Sequence, residues 1–462
     1  MRSSLRDDVV RALTSVIGAD YIRTDAASLD AYGVDALGQG HPPDLVVFPA
    51  NTAEVAAIAR CCNEQRMPLV VRGAGTGFTG GAVPTRGGLV LSMERMNRIL
   101  EIDETNLLAI VEPNVITADL QRAVEKVGLF YPPDPASLEM SSIGGNVAEC
   151  AGGPRAFKYG TTKRYVLALE AVLPTGEIVE SGSKAVKNVV GYDLTQLLVG
   201  SEGTLAIITK ATLRLIPRPP ARATLLALFA DIRAAVDAVS ALIRRRVVPA
   251  ALELIDADSL SAIRDHLKQD VVPPGTGAVL IVESDGMQAA VDEEIDRVAE
   301  ACRDAGALRV SLAASEEDRD RLWNVRRLLS GALKATGLLK INHDVVVPRG
   351  RVPELFAVIE ALRQAHQLRI AAFGHAGDGN IHVNLMVDRH DAQQRARAKE
   401  AERALFEQVV ALEGSISGEH GIGFAKAQYI DLELAPQEIA LMKRVKTAFD
   451  PNGILNPGKI FP

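Results

Sequence analysis

A glycine-rich segment, Arg72–Gly81, directly follows the apolar run Pro68–Val71. Five glycines in nine positions let backbone N–H groups face one point and approach an anion without a Cβ in the way. Gly75, Gly77 and Gly80 match the bare GxGxxG pattern, but a dinucleotide fingerprint also needs a helix that opens at the loop, and here the chain turns into another strand. The segment therefore predicts a backbone nest for a pyrophosphate outside a Rossmann fold, with a flexible, ligand-free loop as the alternative.

Two further stretches are rich in glycine and other small residues. Ser142–Ala148 is followed by a Gly-Gly pair, and Gly200–Thr204 leads into an apolar strand pattern. Tyr131–Ser137, between them and the first loop, is a stiff proline-rich turn. Each stretch alone would be interpreted as a turn. Small residues let a flat group pass close to the backbone, so the stretches together favour a large buried cofactor.

The proline-rich segment Pro217–Pro220 is the clearest domain boundary, because it forms a stiff, extended linker. Before it, short strand patterns are separated by turns; after it, strands alternate with longer amphipathic helices. The sequence therefore predicts an α+β fold in three parts. A helical lead-in occupies residues 1–40, a cofactor-binding domain 41–217, and a second α/β domain with mainly antiparallel strand pairing 221–462.

The composition excludes several classes of protein. A chain of 462 residues needs two or three cores. A net charge of −7 and only 4% aromatic residues oppose nucleic-acid binding. We find neither the ~20 apolar residues of a transmembrane helix nor a signal peptide. Cys61, Cys62, Cys150 and Cys302 show no metal-ligand spacing, so we expect reduced cysteines in a cytoplasmic protein.

His375 and His382 flank the dipeptide Asp378-Gly379, a strong signal for a two-residue hairpin turn. That turn would place the two histidines directly opposite each other, with Cβ atoms ~4.5–5.5 Å apart. Two imidazoles at this separation suit the chelation of one cation. The alternative is a stacked histidine pair on an exposed strand ladder.

These motifs bring the chain to a known family. Arg72–Gly81, the Pro132–Pro135 turn, Ser142–Ala148 and Gly200–Gly203 closely resemble the FAD domain of the vanillyl-alcohol oxidase superfamily. One branch of it contains the glycolate oxidase flavin subunit, D-lactate dehydrogenase and D-2-hydroxyglutarate dehydrogenase. Three further motifs resemble that branch, namely His375–His382, Ser417–Gly423 and Leu455–Lys459.

The resemblance implies a two-part FAD-binding domain over 41–217 and a cap domain over 221–462 whose segment 436–462 returns to the FAD domain. Relatives with covalent flavin typically carry a histidine in or near the pyrophosphate loop, and none occurs between Arg72 and Ala82, so we expect non-covalent FAD. The positions that match FAD-binding residues are Arg72, Gly73, Ala74, Gly75, Thr76, Gly77, Thr79, Gly80, Gly81, Pro133, Asp134, Ser137, Ser142, Gly145, Asn146, Ala148, Gly203, Ile207 and Asn456.

The resemblance also implies a metal-assisted reaction. Glu419 would add a carboxylate to His375 and His382, and Zn, Mn or Fe would suit this ligand set. His420 is the expected base for the substrate hydroxyl proton, because imidazole exchanges protons near neutral pH, while hydride leaves for flavin N5. Arg326 and Ser330, one turn apart on a predicted helix, match positions that hold the substrate carboxylate. A solvated helix face is the alternative.

The predicted function is therefore FAD-dependent oxidation of a small D-2-hydroxy acid to the 2-oxo acid, with electrons passed to a protein or quinone acceptor. Asn342 stands where the hydroxyglutarate branch has a carboxylate-binding lysine, which favours D-lactate or glycolate. D-2-hydroxyglutarate oxidation, a non-catalytic flavin subunit and direct oxidase or non-redox flavin chemistry stay open. For the assembly, a homodimer and a subunit of an oxidase complex are both open. Peripheral membrane association through the acceptor is also open.

Overall fold

The computed structural model describes residues 2–462, with the side chains from residue 7 onward. The chain divides into two compact units. The first comprises the described residues up to Gly152, together with Thr161–Arg218 and Glu419–Pro462. The second comprises Gly153–Gly160 and Pro219–Gly418.

The strands of the described chain fall into four sheets. In chain order they are β1 (Ile22–Arg23), β2 (Leu45–Val47), β3 (Leu69–Arg72), β4 (Leu89–Ser92), β5 (Ile99–Asp103), β6 (Leu108–Val111), β7 (Leu129–Phe130), β8 (Val166–Val172), β9 (Ile178–Gly182), β10 (Ile207–Arg214), β11 (Ile216–Pro217), β12 (Ala221–Phe229), β13 (Ala251–Asp256), β14 (Ala278–Gly286), β15 (Arg309–Leu312), β16 (Leu339–Val346), β17 (Arg369–His375) and β18 (Asn380–Val387).

The α-helices are accompanied by short 3-10 turns at Ala19–Tyr21, Thr162–Arg164, Arg349–Arg351 and Ala427–Leu432. In chain order the α-helices are α1 (Arg2–Ile17), α2 (Ala26–Tyr32), α3 (Thr52–Glu64), α4 (Thr117–Glu125), α5 (Ile143–Glu149), α6 (Ala156–Tyr159), α7 (Leu194–Leu198), α8 (Ile232–Arg244), α9 (Ala257–Leu267), α10 (Gln288–Asp304), α11 (Glu316–Ala335), α12 (Val352–His366), α13 (Ala392–Ala411) and α14 (Pro436–Phe449).

The first unit contains a four-stranded sheet of order β1-β2-β4-β3 and a five-stranded antiparallel sheet of order β5-β6-β10-β8-β9. Strands β2, β4 and β3 run parallel and read as continuous apolar runs, as expected of strands buried on both faces. The lead-in is part of this core, because α1 buries Val9, Leu13 and Ile17 there and β1 pairs with β2.

The second unit is built on one seven-stranded sheet of order β15-β12-β14-β13-β17-β18-β16. Every strand pair in it is antiparallel, so the predicted α+β class with an antiparallel second domain is confirmed. Helices α9 and α11 pack on the face that carries Ile255 and Phe373. Helices α8, α10, α12 and α13 also pack against the sheet.

The predicted register of the β17–β18 hairpin is wrong. His375 lies opposite Asn380, and His382 lies opposite Phe373, so four residues rather than two form the turn. The carbonyl of His375 accepts the N–H of Asp378 at 3.3 Å and that of Gly379 at 3.1 Å, which closes a wider turn than the Asp-Gly dipeptide alone predicts. The shift is an even number of residues, so both histidines still lie on one face, with ring centroids 5.4 Å apart.

Candidate cofactor, metal and substrate sites

The glycine-rich loop joins β3 to β4 without an intervening helix, as the sequence predicts for a nest outside a Rossmann fold. A Cβ on Gly73 would lie 2.3 Å from Ser142 Oγ, so this glycine lets the loop approach the start of α5. A Cβ on Gly77 would meet only Asp35 Oδ2, at 3.9 Å. The backbone at Gly77 therefore faces open space that a pyrophosphate could fill.

The segment Ser142–Ala148, which by itself would be interpreted as a turn, is instead the N-cap and body of helix α5. Ser142 Oγ caps the helix by accepting from the N–H of Gly145, at 3.3 Å. The Asn146 side chain donates to Thr117 Oγ1 at 2.7 Å. These side chains therefore make contacts within the protein, and their contact with FAD stays a prediction.

Asn456 joins two walls of the predicted FAD site, namely the glycine-rich loop Arg72–Gly81 and the turn Gly200–Gly203. Its buried amide nitrogen donates to the carbonyls of Gly81, at 2.9 Å, and Glu202, at 2.8 Å. Gly81 ends the glycine-rich loop, and Glu202 lies in the Gly200–Gly203 turn. The amide oxygen of Asn456 accepts from Lys459 Nζ at 3.2 Å. Asn456 therefore fixes the spacing of the two walls, a role that the sequence does not show.

The guanidinium of Arg72 lies against Gly75 of the loop, where a Cβ would be 2.2 Å from Nη2. The same guanidinium donates to the Val34 carbonyl at 2.7 Å, and burial lowers its pKa. Asp35, a residue that the sequence analysis missed, is buried beside this loop, and burial raises its pKa to about 6. The other predicted FAD positions, including Ala74, Thr76, Pro133, Asp134, Ser137, Ala148, Gly203 and Ile207, all lie in the first unit.

The segment that begins at Glu419 belongs to the first unit, whereas the sequence places the return only at 436. Hydrogen bonds to the glycine-rich loop explain the difference. Thr79 Oγ1 donates to the His420 carbonyl at 3.0 Å, and the Thr79 carbonyl accepts the N–H of Phe424 at 3.1 Å. Gly423 lets the chains approach, because a Cβ there would lie 2.1 Å from the Thr79 oxygen.

His420, the predicted base, therefore lies against the glycine-rich loop. The His420 ring is 5.3 Å from the Phe78 ring, measured between centroids. A Cβ on Gly152 would lie 2.6 Å from Glu419 Oε2, so Gly152 leaves room for that carboxylate. The carboxylate of Glu202 accepts the N–H groups of Ile422 and Gly423, both at 2.7 Å, and so holds the turn that follows His420.

Strand register gathers polar residues on one face of the seven-stranded sheet of the second unit. Residues directly opposite each other on neighbouring strands lie on the same face of the sheet. Along one strand, every second residue lies on that face. The two polar rows are Glu253–His375–Asn380 and Phe373–His382–Asp344. All of these residues are buried. The exposed histidine ladder that was the alternative for His375 and His382 is therefore excluded.

Asp344, which the sequence analysis did not select, links the hairpin to the end of the second unit. Its carboxylate accepts from Asn380 Nδ2 at 2.6 Å and from the N–H of Gly418 at 2.9 Å. His382 Nδ1 lies 3.6 Å from Asp344 Oδ1. Asp344 therefore fixes the backbone at Gly418, where the second unit ends.

Arg326 is buried in α11, so the predicted alternative of a solvated helix face is wrong for this residue. Its Nε forms an ion pair with Glu253, and the guanidinium lies 4.8 Å from the Phe373 ring centroid. Glu253 also bonds His375 Nδ1. Burial alone would raise the pKa of Glu253, but the charges of His375 and Arg326 outweigh it and lower that pKa to about 2. The carboxylate is therefore ionised at neutral pH.

Ser330 accepts a hydrogen bond from Lys340 Nζ at 2.8 Å. Lys340 and Asn342 lie on the same face of β16 as Asp344, because they are four and two residues away from it. Burial, with the charges of Lys334 and Arg326, lowers the pKa of Lys340 to about 8. The Asn342 amide donates to Asn384 Oδ1 at 2.8 Å. The face thus offers two cationic side chains, Arg326 and Lys340.

No helix among residues 2–462 is long and apolar enough to span a membrane. All four cysteines are free thiols, as the sequence predicts.

Comparison with known proteins identifies the chain. A model of the FAD binding domain matches residues 43–182, and a model of FAD linked oxidases, C-terminal domain, matches residues 218–460. The glycolate oxidase subunit GlcD of Bacillus subtilis is 43% identical, over 98% of this chain and 97% of the relative. A D-lactate dehydrogenase of Anaerostipes hadrus is 38% identical, over 90% and 89%.

Solved structures show the same fold. Substrate-bound p-cresol methylhydroxylase has a TM-score of 0.81 and 20% identity, over 99% of this chain and 97% of that one. The 4-ethylphenol oxidase from Gulosibacter chungangensis has a TM-score of 0.80 and 21% identity, over 99% and 98%. The fold is thus that of flavoproteins of the vanillyl-alcohol oxidase type, as predicted. The chain belongs to the FAD-linked oxidase family and is a flavin-dependent oxidoreductase.

Proposed function

We propose that this enzyme oxidises a small D-2-hydroxy acid, D-lactate or glycolate, to the corresponding 2-oxo acid. The polar sheet face of the second unit is the observation that carries the proposal. It combines buried Arg326 and half-buried Lys340, which suit a carboxylate, with the buried imidazoles of His375 and His382, which suit a metal. The similarity to glycolate oxidase subunits and D-lactate dehydrogenases supports the same substrate class.

The metal ligands proposed are His375, His382 and Glu419. Two imidazoles and a carboxylate fit Zn, Mn or Fe. Bound there, a divalent cation would act as a Lewis acid that polarises the substrate hydroxyl. The burial of His375 and His382 on one face of the sheet, with ring centroids 5.4 Å apart, supports the two imidazole ligands.

The remaining steps belong to the protein's own side chains. Arg326 holds the substrate carboxylate. Lys340, which is hydrogen-bonded to Ser330, contributes positive charge on the same side. His420 accepts the hydroxyl proton as a general base. Bound FAD supplies the acceptor for the substrate hydride. The glycine-rich loop, held by Thr79 and Asn456, binds its pyrophosphate through backbone N–H groups.

The substrate is proposed to be short. Lys340 is the lysine on this face of β16, and it is bonded to Ser330 next to Arg326. Asn342, at the position where a second carboxylate would need a lysine, is instead bonded to Asn384. A long dicarboxylate would thus lack a cation for its far end. Oxidation of D-2-hydroxyglutarate is the second candidate, and activity with it equal to that with D-lactate would favour it.

The physiological setting is proposed from the relatives alone. Those named glycolate oxidase subunit GlcD imply that this chain, too, works as a subunit of an oxidase complex. Electrons would leave the flavin for a partner protein or a quinone. Co-purification of the chain expressed with its genomic neighbours tests this proposal, and a stable monomer that reduces quinones directly would contradict it.

Metal content tests the ligand set. The protein should carry about one divalent ion per chain by elemental analysis, and His382→Ala should lose it. His390→Ala is the matched control, since this histidine is exposed after β18 and should leave the metal in place. Chelation should abolish turnover and leave the flavin absorbance nearly intact. Full activity in metal-free protein would contradict the proposal.

A further inference from the structure

Glu253 is a fully buried carboxylate in the middle of strand β13, flanked by Leu252 and Leu254. Burying a charge is costly unless it is paired, so such a residue in a core strand requires partners. Glu253 has two. Its Oε2 pairs with Arg326 Nε and its Oε1 with His375 Nδ1. Both partners are residues to which the proposed function assigns a role.

The two contacts with Glu253 use Nδ1 of His375 and Nε of Arg326, and so do not use Nε2 of the histidine or the terminal nitrogens of the arginine. A carboxylate at Nδ1 fixes that nitrogen as the donor in neutral imidazole, so Nε2 becomes the ring nitrogen suited to a metal. A carboxylate at Nε of Arg326 restrains the guanidinium plane, and the two terminal nitrogens keep the fork that matches a substrate carboxylate. One residue thus sets the orientation of two others.

Glu283 provides an internal comparison. It is also buried, on the neighbouring strand β14, and it also receives a side chain of α11. Its donors are neutral, however. Trp323 Nε1 lies at 2.8 Å and Thr224 Oγ1 at 3.0 Å. Glu283 therefore anchors α11 to the sheet without touching a proposed site residue, whereas Glu253 anchors it through Arg326.

We propose that Glu253 is a positioning residue that holds the proposed metal ligand His375 and the proposed substrate-binding Arg326 in one rigid unit. The inference rests on the proposed function, since it assumes that these two residues have those roles. It adds that metal binding and substrate binding are coupled through a carboxylate that touches neither. Substitution of Glu253 therefore perturbs both, although each site keeps all of its own side chains.

The test uses the FAD-loaded enzyme, with Mn²⁺ as the metal probe and D-lactate as the substrate. Glu253→Gln keeps the shape of the side chain and removes its charge. Mn²⁺ affinity without substrate, from the electron paramagnetic resonance of free Mn²⁺, should fall by about 10- to 100-fold, the usual effect of losing the partner of a ligand histidine. KM for D-lactate at saturating Mn²⁺ should rise as well. Glu283→Gln should change neither value by more than about two-fold.

A second comparison covers the case in which Glu253→Gln folds poorly because Arg326 loses its counter-charge. Arg326→Met removes that charge, and it should raise KM while Mn²⁺ affinity stays near that of the wild type. Adding Glu253→Gln to Arg326→Met should then weaken Mn²⁺ binding by about 10- to 100-fold relative to Arg326→Met alone.

Unchanged Mn²⁺ affinity in both Glu253 variants, with binding lost in His375→Ala, would overturn the inference and leave the proposed function intact. A wild-type enzyme that binds no Mn²⁺, Zn²⁺ or Fe²⁺ would overturn the proposed metal site, and this inference with it.

Discussion

Replacing Asn456 with aspartate should release FAD, although this residue mainly contacts protein. Aspartate has the same shape, and it tolerates the left-handed backbone at this position, where φ is +43°. It lacks the N–H groups that Asn456 donates to the carbonyls of Gly81 and Glu202. Two walls of the predicted FAD site therefore lose their common tether.

The structure sets the size of the effect. Each lost N–H···O bond contributes about 0.5–1.5 kcal/mol net, and each buried carbonyl left without its donor adds a desolvation cost. Lys459, whose Nζ lies 3.2 Å from Asn456 Oδ1, offsets part of this by pairing with the new charge. The binding-competent arrangement of the two walls should therefore lose roughly 2–3 kcal/mol of stabilising free energy. This loss corresponds to about 30- to 150-fold weaker FAD binding.

The assay is the dissociation constant of FAD, measured by recovery of flavin fluorescence on dilution. Asn452→Asp is the matched control, because that asparagine is exposed and its side chain donates a hydrogen bond to Asn63 Oδ1, at 2.9 Å. The control should bind FAD as the wild type does. If Asn456→Asp binds FAD as tightly as Asn452→Asp, the tether has no role in forming the site.

Three further outcomes are expected. His420→Ala should keep its FAD but reduce it roughly 10²–10⁴-fold more slowly in stopped-flow experiments, and reduction at the wild-type rate would exclude His420 as the base. Gly77→Val should purify without flavin absorbance, because its side chain enters the open space beside Asp35, whereas Gly350→Val, with open space at an unrelated turn, should stay yellow. Lys340 is cationic below its pKa of about 8, so kcat/KM for D-lactate should fall as pH rises through that value, and Lys340→Arg should move the fall to higher pH.

Most elements after the Pro217–Pro220 linker could be predicted, because amphipathic helices and apolar strands alternate there with clear caps. The sequence predicts a helix over Pro436–Phe449, which matches α14, and one over Glu317–Ala335, which matches α11 except that α11 begins one residue earlier, after the cap by Ser315. Helix α5 could not be predicted from local propensity, since two of its seven residues are glycines. It forms because Ser142 caps it and because Gly144 packs on Pro113, where a Cβ would lie 2.7 Å away.

The sequence predicts most residues of the candidate site, but not the hydrogen bonds and ion pairs that connect them. The histidines, Arg326 and the Glu-His pair stand out in sequence because glycines or a turn signal flank most of them. Glu253 does not stand out, because its neighbours in the strand are leucines, and Asp344 does not stand out, because no glycine or turn signal flanks it. Their roles depend on the register of β13, β17, β18 and β16, which places residues far apart in sequence side by side.

The most direct test of the proposed activity is anaerobic reduction of the bound flavin. Metal-replete enzyme should bleach on addition of D-lactate or glycolate, keep its colour with L-lactate, and respond more weakly to D-2-hydroxyglutarate. An enzyme with full FAD and metal content that bleaches with none of these acids would contradict the account. So would one that bleaches equally with both lactates.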